Sequence, residues 1–228
     1  MGNSASCSFK LDPLGSPTVA GVLLAGGRAR RLGGGDKCLL DVDGRTLLDR
    51  VIERVRPQVG PLILNAGGDP ARFSSFGLAV VPDPVEDGIE AFSGPLAGIL
   101  AGLDWAHENA PQADFLAVFP TDAPFVPRDL VARQAEALQG GKADIAIARS
   151  KGRDHPVFAL LTLGLGNAHD LRDGLREAMT REGVRKAAQW VDRYRVARVS
   201  YAVGVRDPFF NVNDPKSLVQ AEDFLGKQ

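Results

Sequence analysis

Residues 22–37 read Val22-Leu-Leu-Ala-Gly-Gly-Arg-Ala-Arg-Arg-Leu-Gly-Gly-Gly-Asp-Lys37, an apolar run that passes directly into a loop rich in glycine and arginine. Apolar residues without alternation are typical of a strand buried on both faces of a parallel sheet. The glycines let a ligand approach the backbone N–H groups closely. Arg28, Arg30, Arg31 and Lys37 add the positive charge that a polyphosphate requires. The stretch therefore predicts a site for a nucleoside triphosphate.

The spacing in this loop excludes two commoner phosphate-binding motifs. A Walker A loop ends in Gly-Lys-Ser or Gly-Lys-Thr, whereas Lys37 lies between Asp36 and Cys38. The dinucleotide fingerprint G-x-G-x-x-G is also absent from the loop, since Gly33 and Gly35 are followed three positions later by Cys38. We therefore expect neither a P-loop NTPase nor an NAD enzyme. From the loop alone, a flexible linker with solvated arginines is the alternative.

The length and the composition are those of an ordinary soluble globular protein. The chain has 228 residues, of which 44% are hydrophobic and 24% are charged. We expect one nucleotide-binding domain over residues 18–228, preceded at residues 1–17 by a disordered leader or a cloning remnant. These first residues are polar and lack the cationic and apolar regions of a signal peptide.

The charge and the few metal-binding residue types exclude several classes of function. The net charge of −1 predicts no bulk attraction to nucleic acid or to an anionic membrane. No apolar run approaches the roughly 20 residues of a membrane span. Two cysteines and three scattered histidines provide no disulfide framework and no zinc spacing. We expect a cytoplasmic protein without nucleic-acid or membrane partners.

Strand and helix patterns alternate along the chain after Lys37. This order is typical of a doubly wound α/β fold, a three-layer sandwich around a mainly parallel sheet. The patterns predict helices at 46–55, 95–110, 127–138, 170–179, 184–191 and 214–225, and further strands at 61–65, 78–81, 114–119, 144–148, 157–161 and 196–203. The pattern of the last strand is that of a sheet edge.

Ligands of open α/β sheets bind beyond the carboxyl ends of the strands, so we expect the loops there to converge. Asp122 directly follows a predicted strand and lies between Pro120 and Pro124, which stiffen its backbone. A carboxylate at this edge is suited to bind Mg²⁺, which prefers one or two carboxylates together with phosphates and waters. Asn65 and Asp83 follow two neighbouring strands. All three side chains also suit ordinary turns, and this alternative stays open.

Two later segments carry polar side chains that this loop does not explain. Arg153 and His155 open a predicted strand, where they either meet an anionic substrate or line a surface turn. Asn211 and Asn213 share one face of an extended segment before the final helix. Asn213 and Asp214 equally suit the turn into that helix.

Taken together, the motifs resemble those of the molybdenum cofactor guanylyltransferases. The resemblance covers roughly residues 18–225 and follows the family's order. The opening loop alone is shared with many nucleotidyltransferases, and the later motifs narrow the likeness to the molybdopterin branch. The motifs are Leu24-Ala-Gly-Gly-Arg-Ala-Arg-Arg-Leu-Gly-Gly-Gly-Asp-Lys37, Gly94-Pro-Leu-Ala-Gly98, Thr121-Asp-Ala-Pro124, His155-Pro-Val157 and Asn211-Val-Asn213-Asp-Pro215.

The resemblance implies the nucleotide-diphospho-sugar-transferase fold and the transfer of GMP from GTP to molybdenum-loaded molybdopterin, with release of pyrophosphate. It also implies protein partners that deliver or receive the cofactor. The implied nucleotide-binding residues are Leu24, Ala25, Gly26, Gly27, Lys37, Asn65, Asp83 and Asp122. Asp122 also binds Mg²⁺ in this scheme, and Lys37, Arg31 and Asp122 are catalytic. The pterin side consists of His155, Asn211 and Asn213, so we expect the nucleotide to bind residues 22–122 and the pterin to bind residues 153–213.

Three alternatives to this function stay open at the level of the sequence. A cytidylyltransferase that uses CTP and molybdopterin, or a sugar-phosphate nucleotidyltransferase, has the same fold and differs only in nucleotide or acceptor. A cofactor carrier that binds a nucleotide as a regulator belongs to another class, because it releases no pyrophosphate. The residues alone do not fix the choice of base.

Overall fold

The computed structural model describes residues 18–26, 35–84, 94–164 and 171–226. The main sheet has seven strands in the order β5-β4-β1-β6-β8-β7-β9, and a separate two-stranded hairpin consists of β2 and β3. The strands are β1 (Val19–Leu24), β2 (Asp41–Val42), β3 (Arg45–Thr46), β4 (Leu62–Asn65), β5 (Ala79–Val81), β6 (Phe115–Pro120), β7 (Ile145–Ser150), β8 (Arg153–Thr162) and β9 (Val196–Ser200).

Helices cover both faces of the main sheet and form a three-layer α/β fold, as expected. They are α1 (Leu47–Val55), α2 (Pro95–Asn109), α3 (Leu130–Leu138), α4 (Leu171–Thr180), α5 (Ala187–Val191) and α6 (Pro215–Leu225). Helices α1 and α3 pack on one face and α2, α4 and α5 on the other. Side chains of β1 alternate between the two cores, with Leu23 on the first and Val22 on the second, because successive strand residues point to opposite faces. The unbroken apolar run of β1 reflects this burial on both sides.

The sheet is mixed, and its mainly parallel character was predicted correctly. Strands β5, β4, β1 and β6 are parallel to their neighbours in that order, whereas β8 is antiparallel to both β6 and β7. The reversal follows from the turn between β7 and β8, where Lys151 and Gly152 both have positive φ, of 48° and 75°. Two successive residues with positive φ form the type I′ turn that joins antiparallel strands.

Most differences between predicted and observed elements lie at their ends. The helix predicted from residue 127 begins at Leu130, because Pro127 to Asp129 form a preceding turn. The strand predicted at 157–161 extends over Arg153–Thr162, since its hairpin partner β7 adds ladder hydrogen bonds. The start of α6 is as predicted, with Asp214 accepting a hydrogen bond from the Ser217 N–H at 2.8 Å.

Helix α6 and the β2–β3 hairpin pack together beside the carboxyl edge of the sheet. One small buried cluster joins these elements. It includes Val42 of the hairpin, Phe125 after β6, Val212 before α6 and Ala221 within α6. The cluster fixes the segment that precedes α6 next to the loop after β6. The later part of the chain therefore reaches the ends of strands formed much earlier.

Some expectations fall on residues outside those that the structure describes. They concern the leader at residues 1–17, Gly27, and most of the arginine-rich loop, including Arg31. Over the four described ranges, no helix combines the length and the apolarity needed to cross a membrane.

Candidate active site

The loops at the carboxyl edge of the sheet converge, as the parallel strand order predicts. The N–H of Ala25, after β1, donates to the carbonyl of Asn65 at the end of β4, at 2.9 Å. The Ala66 N–H donates to the Val81 carbonyl at the end of β5, at 3.1 Å. The hydroxyl of Thr121 donates to the Leu24 carbonyl at 2.9 Å and connects the ends of β6 and β1. These hydrogen bonds join the ends of β1, β4, β5 and β6 into one surface at the carboxyl edge of the sheet, which we call the floor of the site.

Lys37 and Asp122 form an ion pair above this floor. The Lys37 Nζ lies 2.6 Å from the Asp122 Oδ2 and also donates a hydrogen bond to the Oδ1 of Asn213. The Val212 N–H donates to the backbone carbonyl of Asp122 at 2.9 Å and holds the Asn213 segment in place. Residues from three distant parts of the chain therefore meet at one ammonium group.

The second carboxylate oxygen of Asp122 has the features of a cation ligand. Asp122 Oδ1 is buried and has no hydrogen-bond partner among the described residues. A buried acceptor without a partner is costly, and a bound cation is one group that would satisfy it. A carboxylate oxygen is also the ligand type that Mg²⁺ and similar hard cations prefer. The residues present therefore fit a divalent cation at Asp122.

Asn65 and Asp83 form a second polar pair at the same edge. The Asn65 Nδ2 donates to Asp83 Oδ1 at 2.9 Å and to the Val81 carbonyl at 3.2 Å. Gly98, in the first turns of α2, packs directly against the Asn65 side chain, so that a Cβ at this position would overlap with the amide oxygen. This packing holds the pair in place. The second carboxylate oxygen of Asp83 can then accept a hydrogen bond from an N–H or O–H group of a ligand.

The remaining residues expected at the nucleotide lie around these two pairs. Leu24 and Ala25 are at least partly buried at the end of β1, and Gly26 is exposed beyond them. Cys38 follows Lys37 and is almost fully buried, with an exposed fraction of 1%. Burial, and secondarily the Asp36 carboxylate, raises the pKa of its thiol to about 12, so Cys38 stays protonated at neutral pH.

The three residues expected on the pterin side separate into two places. Asn213 lies against Lys37, on the side expected for the nucleotide. His155 lies at the amino-terminal end of β8, which shares the carboxyl edge of β6 because the two strands are antiparallel. Asn211 lies in the segment between these places, and its Oδ1 is buried without a partner among the described residues. A division of the chain into a nucleotide half and a pterin half therefore does not describe where Asn213 lies.

The environment of His155 includes two residues that the sequence did not indicate. Its Nε2 lies 2.8 Å from the Ser150 Oγ, which lies 2.9 and 3.0 Å from the two carboxylate oxygens of Asp207. The imidazole also stacks on Phe209, with ring centroids 4.7 Å apart. Burial, the largest effect, lowers the pKa of His155 below its ordinary value. Ser150 and Asp207 carry no periodic or motif signal, since the β7–β8 hairpin brings Ser150 to His155 and the segment after β9 brings Asp207 to Ser150.

Arg72 is a further residue that the sequence did not single out. Its Nε donates to the Asp36 carboxylate at 2.5 Å, and its guanidinium also donates to the carbonyls of Gly67 and Asp69. It thereby ties the loop after β4 to the turn that carries Lys37. The sequence shows that Arg72 is close to Gly67 along the chain, but it does not show that Arg72 pairs with Asp36.

The lysine–aspartate pair and the asparagine–aspartate pair lie at the carboxyl edge of an α/β sheet, which is where folds of this class bind nucleotides. Residues 21–198 match the MobA-like NTP transferase domain. The chain belongs to this family, and it is a nucleotidyltransferase. A molybdenum cofactor guanylyltransferase of Bradyrhizobium sp. (strain ORS 278) is 50% identical over 204 residues, which are 90% of this chain and 92% of that protein.

Solved structures show the same fold at lower identity. The molybdopterin-guanine dinucleotide biosynthesis protein A of Archaeoglobus fulgidus superposes with a TM-score of 0.66 at 22% identity, over 92% of this chain and 100% of that chain. The 2-C-methyl-D-erythritol 4-phosphate cytidylyltransferase of Thermus thermophilus gives a TM-score of 0.59 at 23% identity, over 90% of this chain and 98% of that chain. The fold is therefore shared by proteins named for different nucleotides and acceptors.

Proposed function

We propose that the protein transfers GMP from GTP to molybdenum-loaded molybdopterin, releases pyrophosphate and forms the guanine dinucleotide cofactor. The observation that carries this proposal is the Lys37–Asp122 pair at 2.6 Å, with Asp122 Oδ1 unpartnered among the described residues and buried beside it. The 50% identity to a molybdenum cofactor guanylyltransferase supports the choice of nucleotide and acceptor.

The chemistry suits the residues present, because it needs no protein base. The nucleophile is an oxygen of a phosphate monoester, which is already ionised near neutral pH. The site must align this oxygen for in-line attack and balance the negative charge that develops on the leaving pyrophosphate. Lys37 supplies one positive charge for this purpose, and Arg31 is proposed to supply another. The thiol of Cys38 is not a nucleophile, because its pKa of about 12 keeps it protonated.

Asp122 is proposed to hold a divalent metal, and Mg²⁺ is the specific ion proposed. When bound, the ion would act as a Lewis acid on the nucleotide phosphates. Lys37 and Asp122 now neutralise each other, so both charges are compensated in the free protein. Asp122 would hold the metal through Oδ1, the oxygen that Lys37 does not contact, and Lys37 would lie close enough to contact the phosphates.

The Asn65–Asp83 pair is proposed to bind the guanosine, together with the backbone at Leu24, Ala25, Gly26 and Gly27. The Asp83 carboxylate is an acceptor, and guanine carries N–H donors on its Watson–Crick edge. Cytosine also carries an amino donor, so this pair alone is compatible with both bases. His155, Asn211 and Asn213 are proposed to contact the acceptor, with Asn213 close enough to Lys37 to meet the phosphates as well.

A reconstitution with each nucleotide tests the proposal. The protein is incubated with GTP, CTP, ATP or UTP, with Mg²⁺ and molybdenum-loaded molybdopterin, and the product is identified by mass spectrometry. We expect a guanine dinucleotide and one equivalent of pyrophosphate with GTP. A cytosine dinucleotide would identify a cytidylyltransferase, and nucleotide binding without pyrophosphate would identify a carrier.

A further inference from the structure

Ser150 connects a carboxylate to the imidazole of His155. The Ser150 Oγ lies 2.9 and 3.0 Å from the two oxygens of Asp207 and 2.8 Å from the His155 Nε2. Ser150 is 3% exposed, so water does not compete for its hydroxyl. Asp207 is fixed in turn, because its Oδ1 accepts from the Phe209 N–H at 3.0 Å. The three side chains come from β7, from β8 and from the segment after β9.

A count of the available protons determines the direction of the hydrogen bonds that join Asp207, Ser150 and His155. An ionised carboxylate only accepts hydrogen bonds, so the single hydroxyl proton of Ser150 points to Asp207. The Ser150 Oγ must then accept from His155, and Nε2 must carry a proton. A neutral imidazole has one N–H, which leaves Nδ1 as an acceptor.

The Nδ1 atom of His155 is free to meet a ligand. It has no hydrogen-bond partner among the described residues, and it is not one of their buried unpartnered atoms. Stacking on Phe209 at 4.7 Å and an edge contact with Phe158 at 6.1 Å hold the plane of the ring. The direction of the Nδ1 lone pair is therefore fixed before a ligand binds.

We infer that Ser150 and Asp207 are positioning residues that hold His155 as the Nε2–H tautomer, so that Nδ1 accepts a hydrogen bond from an N–H or O–H group of the acceptor substrate. This inference rests on the proposed function, because it takes the end of β8 as the acceptor side. The ligand class is a donor on a neutral heterocycle, such as a ring N–H or an amino group. An anionic oxygen does not suit the Nδ1 lone pair of a neutral ring, because the two would repel each other.

The charged groups around His155 agree with a neutral ring. Asp207 faces the imidazole through Ser150, and Arg153 and Asp154 flank it on β8. Burial lowers the pKa of His155 most, Arg153 lowers it further, and the two carboxylates oppose these effects only in part. The lowered pKa of His155 therefore favours the neutral ring that the tautomer requires.

Nitrogen-15 NMR of the ring tests the tautomer without any turnover. The chain has three histidines, so the His155 signals can be assigned by comparison with a His155→Gln variant. At pH 7 we expect a neutral ring with its proton on Nε2, and inorganic phosphate should leave both nitrogens unchanged. A proton on Nδ1, a charged ring, or a change at Nδ1 on addition of phosphate would overturn the inference. These outcomes are independent of whether the protein uses GTP.

Kinetics separate positioning from a merely structural role. In Ser150→Ala we expect the KM for the acceptor to rise about three- to tenfold, the effect of one neutral hydrogen bond. The KM for GTP and the kcat at saturating acceptor should stay close to wild type. Ser150→Thr restores the hydroxyl and should restore the acceptor KM. An unchanged acceptor KM in Ser150→Ala, or an equal rise in both KM values, contradicts the inference, and absence of product in the wild type contradicts only the proposed function.

Discussion

At the scale of single residues, the charges of Lys37 and Asp122 stabilise each other within the site. Their side chains are 11% and 22% exposed, so each charge is largely withdrawn from water and depends on the other. Removing one member of such a pair leaves the other poorly compensated, which costs more than the pair itself contributes. Lys37 and Asp122 therefore depend on each other, and a substitution of either residue also changes the surroundings of the other.

Asp122→Asn tests the proposed metal ligand. The amide keeps the shape and still accepts from Lys37, but it removes the negative charge that holds a cation. We expect a folded protein whose turnover falls by roughly a hundredfold or more and whose Mg²⁺ dependence shifts to higher concentration. Initial rates over a Mg²⁺ series measure both effects. Asp129→Asn, at an exposed carboxylate, is the matched control and should behave as wild type. Normal turnover of Asp122→Asn at an ordinary Mg²⁺ concentration would contradict the proposal that Asp122 binds the metal.

Lys37→Ala tests whether the ammonium group acts in the transition state. A charge-assisted contact contributes ~1.5–3 kcal/mol. If it strengthens as charge develops on pyrophosphate, kcat should fall by about ten- to a hundredfold. Steady-state kinetics with GTP as the varied substrate measure this change, and Lys142→Ala, at a lysine remote from the site in sequence, is the control. An unchanged kcat with a modest rise in KM would show that Lys37 only binds the nucleotide.

At the scale of secondary structure, α2 controls the Asn65–Asp83 pair through its glycines. Gly98 packs on Asn65 and Leu24, and Gly102, one turn later, packs on Val22 and Leu116. A Cβ at either position would come closer to its neighbours than packed atoms tolerate. Both glycines let the helix approach the sheet closely, but only Gly98 contacts a residue proposed to bind the nucleotide.

The substitutions Gly98→Ala and Gly102→Ala separate packing from nucleotide binding. Each adds one methyl group to a tight helix–sheet contact, and overpacking of this kind costs ~1–3 kcal/mol. Thermal unfolding should show a lower Tm for both variants. Only Gly98→Ala displaces Asn65, so only this variant should raise the KM for GTP. The same KM for the two variants would remove Asn65 from the nucleotide site.

At the scale of the whole molecule, residues 207–213 connect two clusters that lie far apart in sequence. Asp207 accepts a hydrogen bond from Ser150, which lies beside His155, and Asn213 accepts one from Lys37, which lies beside Asp122. A short segment thus spans the proposed acceptor side and the proposed phosphate side. Changes at its end should therefore affect both substrates.

Asn213→Asp tests this connection. It places a second carboxylate at the Lys37 ammonium, which holds the lysine away from phosphate and adds negative charge near both substrates. We expect the KM values for GTP and for the acceptor each to rise by about tenfold. Asn109→Asp adds the same charge on the surface of α2 and should leave both values unchanged. A loss confined to the acceptor would restore the simple division of the chain into two halves.

The convergence of the strand ends was predictable, because it follows from the order of parallel strands. The apolar run before Ala25 identified a buried strand, and Asn65, Asp83 and Asp122 each lie at or just after the end of another strand. Their meeting at one edge then needed no knowledge of side-chain contacts. The capped start of α6 was likewise visible, in Asp214 and the proline after it.

Contacts that depend on chain reversal were not predictable in the same way. Asp43-Gly44 and Lys151-Gly152 carry positive φ in two hairpins, and Asp-Gly is a strong hairpin signal that hydrophobic periodicity does not contain. The approach of Asn213 to Lys37, 176 residues away, depends on how α6 packs against the first hairpin. No local pattern encodes such packing.

The burial of Cys38 turns this residue into a reporter of motion at the site. Thiol reagents attack the thiolate, so a thiol that is 1% exposed with a pKa of about 12 reacts only when the turn after Lys37 opens. In a protein whose Cys7 is replaced by serine, the labelling rate of Cys38 measures how often this turn opens. A nucleotide that engages Lys37 should slow the labelling, so occupancy of the site can be followed without any acceptor.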